Sequence, residues 1–145
     1  MTGDARPADR SGPVQVADIR ATRPSRVCGV ALAWEQVVVD ARDPQALGSW
    51  WATALDWQVV HDSAEEVEIR QDPVTIPGLL FIRVEEGKTG KNRLHIDVRP
   101  QDQRAEVSRL ITLGASPVDV GQGKVSWVVL ADPEGNEFCV LRDAG

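Results

Sequence analysis

Arg93-Leu94-His95-Ile96-Asp97-Val98-Arg99 begins the stretch of sequence that decides the fold, and Asp132-Pro133-Glu134-Gly135-Asn136 lies near its end. The first run alternates polar and apolar side chains, which predicts a strand over 94–99. A helix is predicted over 102–113, and Gly114 ends it. Three further strands are predicted, at 117–120, 125–131 and 137–142. The second half of the chain therefore predicts a βαβββ module.

The first half of the chain repeats this order. A valine-rich strand is predicted over 36–41, and Asp43 with Pro44 is typical of a helix N-terminus. The helix ends at Asp56 and has one apolar face, made of Leu47, Trp50, Trp51 and Ala54. Strands are predicted at 57–61, 66–70 and 79–85. The predicted fold class is α+β, with two βαβββ modules forming an incomplete barrel.

The two halves can be aligned in two registers, shifted by about 57 or about 59 residues, and strand periodicity of two gives the same facing in both. The side chains predicted to face the helices are Val37, Val39, Leu94, Ile96 and Val98. The opposite face then carries Gln36, Val38, Asp40, Arg93, His95, Asp97 and Arg99. A sheet face with this many polar side chains is expected either to be exposed to solvent or to form a binding site.

The composition is that of a single globular domain. The 145 residues are 42% hydrophobic and 26% charged, with a formal net charge of −6. The basic residues form no cluster, which argues against nucleic acid, and no apolar run is long enough for a membrane helix. We expect a cytoplasmic protein with reduced Cys28 and Cys139, although a disulfide and a signal peptide are alternatives. Residues 1–34 are predicted to be a disordered leader, and 35–143 the domain, with modules at about 35–86 and 93–143.

Four segments of the chain carry a resemblance to a known superfamily. They are 39–44, 50–57, 91–97 and, most distinctive, 127–141 with its Asp-Pro-Glu-Gly-Asn turn. In these segments the chain resembles the vicinal oxygen chelate superfamily, which includes glyoxalase I, bleomycin-resistance proteins and extradiol dioxygenases. Within it, the pattern is similar to the glyoxalase-like domain branch. The resemblance implies paired βαβββ modules around a cavity.

The resemblance also implies where a metal would bind. Metal enzymes of the superfamily place four ligands on the first and last strands of the two modules. Those positions fall on Gln36, His95 and Cys139, and Cys139 replaces the usual glutamate, with Glu137 nearby on the same face. The last strand of module 1 has no carboxylate near Phe81-Ile82-Arg83. The cofactor is therefore expected to be either none or a divalent metal such as zinc, nickel, iron or manganese.

Several residues have both a functional and a structural interpretation. His95 could be a metal ligand, a general base, or a polar residue that pairs with Asp97. Asp40 and Asp97 could form a carboxylate pair, or each could pair with the arginine two positions on. Cys139 could face the cavity or be a small buried side chain, and Trp127 could stack on a flat ligand or pack in the core. The turn at 132–136 is interpreted as structural.

The expected function is that of a glyoxalase-like protein that binds a small organic molecule in the barrel. If it is an enzyme, lyase or isomerase chemistry would involve His95 and Asp97. The predicted ligand-binding residues are Gln36, Asp40, Arg93, Arg99, Trp127 and Glu137. The alternative is a non-catalytic protein that sequesters an antibiotic or other ligand, in the manner of bleomycin resistance. A homodimer is a further expectation, with no nucleic acid or membrane partner.

Overall fold

The computed structural model describes residues 32–143. Eight strands and two helices follow one another in these residues, with the bounds β1 Gln36–Ala41, α1 Pro44–Leu55, β2 Gln58–Asp62, β3 Glu66–Arg70, β4 Gly78–Arg83, β5 Asp97–Val98, α2 Gln103–Leu113, β6 Ser116–Pro117, β7 Val128–Ala131 and β8 Glu137–Val140. The predicted leader falls almost wholly on residues 1–31, and Cys28 with it, so both lie outside the described residues.

The strands form two four-stranded sheets, with the order β1-β4-β3-β2 in one and β5-β8-β7-β6 in the other. In each sheet the first and last strands of the module pair in parallel and the other pairs are antiparallel. Each module is thus βαβββ, and the predicted α+β class is confirmed. Within residues 32–143 no strand pairing joins the two sheets, so the barrel is not closed.

Both helices begin at the predicted aspartates. The Asp43 carboxylate accepts a hydrogen bond from the Ala46 N–H at the start of α1, and Asp102 does the same for Ala105 at the start of α2. These caps are 59 positions apart in sequence, the larger of the two predicted shifts. At the other end of α2, Gly114 has a φ of 114°, in the left-handed region where a side chain would be strained.

The facing predicted from strand periodicity is confirmed for most positions. Val37, Val39, Ile96 and Val98 pack against the core, while Asp40, His95 and Asp97 are exposed on the other face. The prediction for Leu94 is wrong, because this side chain is 86% exposed. The reason is that the regular strand begins only at Asp97, and Leu94 lies in a bend where the alternation of a strand does not apply.

One core is shared by both modules. It contains Leu47 and Trp51 of α1, Phe81 of β4, and Leu130 and Phe138 of the second sheet. Trp51 and Phe138 pack edge to face, with ring centroids 5.1 Å apart. Trp50 and Trp57 pack against the same cluster, as predicted for core tryptophans.

The Asp132–Asn136 turn holds this core together. Asp132 is the one buried charged residue of the described chain, and its carboxylate accepts hydrogen bonds from the backbone N–H groups of Glu134 and Asn136 and from the Asn136 amide. Its Oδ2 also accepts from the Trp51 indole Nε1 at 3.0 Å. Gly135 completes the turn with a φ of 90°. The turn, which was interpreted as structural, therefore also connects module 2 to the helix of module 1.

Two glutamates of this region make further contacts between distant parts of the chain. The Glu134 carboxylate accepts from the backbone N–H groups of Arg42 and Asp43, at 2.8 Å each, just before α1. Glu137 accepts from the Lys88 ammonium, with a shortest distance of 3.0 Å, and from the Asn92 backbone N–H, at 3.0 Å. These contacts fasten the connector 87–92 to β8.

The environment of Glu137 changes its ionisation. Burial by itself would raise its pKa, but the hydrogen bonds from Asn92 and Lys88 outweigh burial, and the pKa lies below its ordinary value. A depressed carboxylate pKa stabilises the fold above the pKa of the unfolded chain, and that stabilisation is lost as the pH falls through the folded value.

Replacing Trp51 with Phe is expected to remove the buried hydrogen bond to Asp132. The free energy of unfolding should fall by roughly 1–3 kcal/mol, the usual cost of leaving a buried charged group without one partner. Urea denaturation measures it. Trp57→Phe is the matched control, because it shortens a partly buried tryptophan without removing a side-chain hydrogen bond within residues 32–143. Equal losses in the two variants would contradict the role given to Asp132.

Glu137→Gln is expected to lower stability at neutral pH by about 1 kcal/mol, since the amide keeps the shape of the carboxylate but loses its charge. As the pH falls below about 5, the free energy of unfolding of the variant should decrease less than that of the parent chain. The reason is that glutamine has no carboxylate whose depressed pKa stabilises the fold. Urea denaturation at a series of pH values checks this, and parallel curves for the two proteins would contradict it.

Candidate functional site

A cavity of about 410 Å³ lies on the open face of the second sheet. All the residues that line it come from module 2 and the connector that precedes it: Lys91, His95, Asp97, Val120, Gln122, Trp127, Val129, Glu137, Cys139 and Leu141. Apolar and aromatic walls with a few converging polar groups are typical of a small-molecule site.

Strand geometry explains why these polar groups converge. β5 and β8 are parallel neighbours, and Asp97 is the register partner of Cys139. Their side chains therefore project side by side from the same face of the sheet. His95 lies two positions before Asp97 on the same face, and its Nε2 is 3.2 Å from Asp97 Oδ1.

His95, Asp97 and Cys139 form the polar cluster of the cavity. One potential ligand atom from each lies within 4.8 Å of the others. Cys139 is buried, whereas about half of the His95 and Asp97 side chains is accessible. Burial raises the pKa of the Cys139 thiol, and the negative charge of Asp97 and its hydrogen bond from the thiol raise it further, while Lys91 opposes them. The thiol is thus protonated at neutral pH. Cys139 is both buried and part of the cavity lining, so the two predicted interpretations of this residue are compatible.

The walls come from the strand next to β8 and from a loop. Trp127 and Val129 project from the same face of the chain at β7, and Val129 is the register partner of Cys139. Trp127 lines the cavity and remains 40% exposed, so part of its side chain is available to a ligand. Val120 and Gln122 belong to the loop 118–127, which is held by its own hydrogen bonds, such as Gly121 N–H to Asp119 and Val120 N–H to Gln122.

Four of the residues predicted for the site do not line this cavity. Gln36 and Asp40 lie on β1, in the other sheet, and Arg93 lies in the bend before β5. Arg99 donates a hydrogen bond to the Arg142 carbonyl at 2.6 Å. The structure thus brings together His95, Asp97, Trp127, Glu137 and Cys139 and leaves Gln36, Asp40, Arg93 and Arg99 apart from them.

Neither interpretation of the two aspartates describes Asp97. Its carboxylate contacts His95 and Cys139, and the ion pairs of residues 32–143 include neither Asp97 with Arg99 nor Asp40 with Arg42. The aspartates also lie on different sheets, so they form no carboxylate pair.

Sequence reasoning missed Lys91, Val120, Gln122, Val129 and Leu141. The alternation of side chains along a strand could have identified two of them. Val129 shares a face with Trp127, and Leu141 shares one with Glu137 and Cys139. Lys91 and the two loop residues carry no such signal, because their position depends on how the connector and the loop pack over the sheet.

The cluster fits a zinc ion better than a harder metal. Tetrahedral ligand atoms about 2.0–2.3 Å from one zinc lie roughly 3.3–3.8 Å apart, so these three groups, which lie within 4.8 Å of one another, would draw closer together around the ion. Imidazole, thiolate and carboxylate are all zinc ligands, whereas Mg²⁺ and Mn²⁺ prefer oxygen. Asp97 rather than Gln36 is the third group. Three protein ligands would leave a fourth position for water or a substrate.

Comparison with known proteins agrees with this architecture. A family profile described as "Glyoxalase-like domain" matches residues 36–141. No curated protein sequence matches the chain. Among solved structures, a glyoxalase/bleomycin resistance protein/dioxygenase family enzyme from Burkholderia phytofirmans PsJN is 16% identical, with a TM-score of 0.61 over 77% of this chain and 98% of that chain.

Two further structures represent different activities on the same fold. The trypanothione-dependent glyoxalase I of Leishmania major is 14% identical, with a TM-score of 0.58 over 78% of this chain and 88% of that chain. The bleomycin-binding protein of Streptomyces verticillus, in complex with copper(II)-bleomycin, is 17% identical, with a TM-score of 0.54 over 79% of this chain and 98% of that chain. At these identities the likeness shows the fold alone. The family match across 36–141 shows that the chain belongs to the glyoxalase-like domain family, and the fold is the one that the resemblance to the vicinal oxygen chelate superfamily implied.

Proposed function

We propose that this protein binds a small organic molecule in the module 2 cavity, with the polar part of that molecule against His95 and Asp97. The observation that carries the proposal is the convergence of His95, Asp97 and Cys139 within 4.8 Å in a cavity that is also lined by the apolar side chains of Val120, Trp127, Val129 and Leu141. Polar groups concentrated at one point of an apolar wall fix the orientation of a ligand.

The same arrangement supports lyase or isomerase chemistry. Asp97 Oδ1 lies 3.2 Å from His95 Nε2, and in the metal-free protein a carboxylate at this distance favours the tautomer that carries its proton on Nε2 and leaves the Nδ1 lone pair free. That nitrogen can take a proton from a carbon or hydroxyl next to a carbonyl group. A divalent metal on His95, Asp97 and Cys139 would supply polarisation of the carbonyl oxygen.

Metal content separates this chemistry from simple binding. We expect protein purified without a chelator or a metal-affinity step to hold about one zinc per chain, and His95→Ala and Cys139→Ser to lose most of it. His61→Ala is the matched control, since His61 is the other histidine and faces Glu66 in the first sheet. Elemental analysis by mass spectrometry gives the result. Full metal in His95→Ala, or equal loss in His61→Ala, would contradict the cluster as a metal site.

The alternative function is sequestration without chemistry, in the manner of bleomycin-binding proteins. The exposed ring of Trp127 beside Val120 and Leu141 favours it, because a flat ligand can stack there without reaching His95. Metal-free protein that binds flat compounds with equal affinity before and after His95→Ala would support this function over the lyase or isomerase.

We also propose that the protein is a homodimer, with a second copy covering the open face of the first sheet. Trp34, Val38 and Ile76 are exposed, and Val38 lies on β1 opposite Leu80 of β4 in the parallel register. Exposed apolar side chains at and beside the strands of one sheet are typical of an interface. The module 2 cavity also has no wall from module 1, so a second copy would enclose it.

Val38→Glu is expected to convert the dimer to a monomer, because the new charge would be buried without a partner. Ile111→Glu is the control, since Ile111 is similarly exposed but lies on α2. Sedimentation equilibrium measures the mass. A monomeric parent protein at tens of micromolar, or dissociation of both variants alike, would contradict the interface.

A further inference from the structure

The charges that line the module 2 cavity are unequally satisfied. Glu137 is bound by the Lys88 ammonium and the Asn92 N–H, and Asp97 contacts His95 and the Cys139 thiol. Glu137 therefore already has a cation and a backbone donor within the chain, and Asp97 lies beside His95 and the Cys139 thiol. A cationic ligand would have to compete with the Lys88 ammonium for Glu137.

Lys91 is in the opposite situation. Its side chain lines the cavity, and its ammonium donates a hydrogen bond to the Asn92 carbonyl oxygen. That bond is long, at 3.3 Å, and its acceptor is a neutral group. The side chain is exposed, so it can turn toward a ligand at little cost.

The other contacts of the cavity are apolar or neutral. Trp127 and Val129 form one wall, Val120 and Leu141 add apolar surface, and Gln122 offers an amide whose oxygen is held by the Val120 N–H. A ligand in this cavity thus meets the Lys91 ammonium, which can donate further hydrogen bonds, and the flat ring of Trp127. Apart from His95 and Asp97, it meets few other polar groups.

We infer that the ligand is an organic anion, with a flat or apolar body against Trp127 and a carboxylate or similar group on the Lys91 ammonium. The inference rests on the proposed small-molecule function and specifies its ligand class. It is opposite in sign to what the net charge of −6 suggests, because Glu137 is paired with the Lys88 ammonium while Lys91 makes one long hydrogen bond to a neutral carbonyl oxygen.

Two matched fluorescent dyes test the inference: anionic 1-anilinonaphthalene-8-sulfonate and neutral N-phenyl-1-naphthylamine, which has the same aromatic body without the sulfonate. The parent protein should bind both dyes. Lys91→Met should weaken the anionic dye about fivefold, as expected for a partly exposed charge pair, and leave the neutral dye unchanged. Lys91→Arg should retain the anionic dye. Added salt should weaken the anionic dye in the parent protein but not in Lys91→Met.

Two controls separate failure of the inference from failure of the proposed function. Lys124→Met removes an exposed lysine that does not line the cavity and should change neither dye. Trp127→Ala should weaken both dyes, because it removes the wall of the cavity. If neither dye binds, or if Trp127→Ala has no effect, the proposed cavity function is overturned. If Trp127→Ala weakens both dyes but Lys91→Met changes them equally or not at all, the cavity stands and the anionic ligand class is overturned.

Discussion

The buried carboxylate of Asp132 is the constraint on which the rest of the structure depends. A charged group cannot be buried without enough donors, and four donors from its own turn and from Trp51 surround it. The indole donor belongs to module 1, so the carboxylate can be satisfied only when the two modules pack together. The same turn places Glu134 on the backbone that starts α1, and leads directly into β8. The polar requirement of one short turn thus fixes the position of the strand that carries Glu137 and Cys139.

From that strand, the alternation of side chains builds two surfaces at once. Phe138 and Val140 face the core, and the residues between and beside them, Glu137, Cys139 and Leu141, face the cavity. Packing of the core therefore holds the cavity residues in register. This arrangement explains how a cluster with half-exposed side chains can be well positioned: its backbone is determined by the buried side of the sheet.

The sequence predicted the features that depend on local pattern. The alternation in 93–99 gave the correct face for His95 and Asp97, and the N-cap aspartates gave the starts of both helices. The predictions for Gln36 and Asp40 depended instead on which parts of the two sheets meet. In residues 32–143 the sheets share a core on their inner sides but do not close around a common cavity, so correct facing on β1 did not bring these residues to His95. Leu94 fails for a related reason, since alternation holds only where a strand is hydrogen-bonded on its neighbour, and that pairing begins three residues later.

The charge of the cavity also shows that the overall composition of a chain is a poor guide to its ligand. A net charge of −6 describes the field at a distance, which salt screens beyond about 8 Å at physiological ionic strength. Inside the cavity, contacts of about 3 Å decide which groups are available: Lys88 pairs with Glu137, whereas Lys91 makes a long hydrogen bond to the Asn92 carbonyl oxygen. The sequence places Lys88 and Lys91 in one polar connector without distinguishing them. Only the fold separates their roles, because Lys88 reaches the carboxylate that anchors the connector, and Lys91 is left facing the space where a ligand binds.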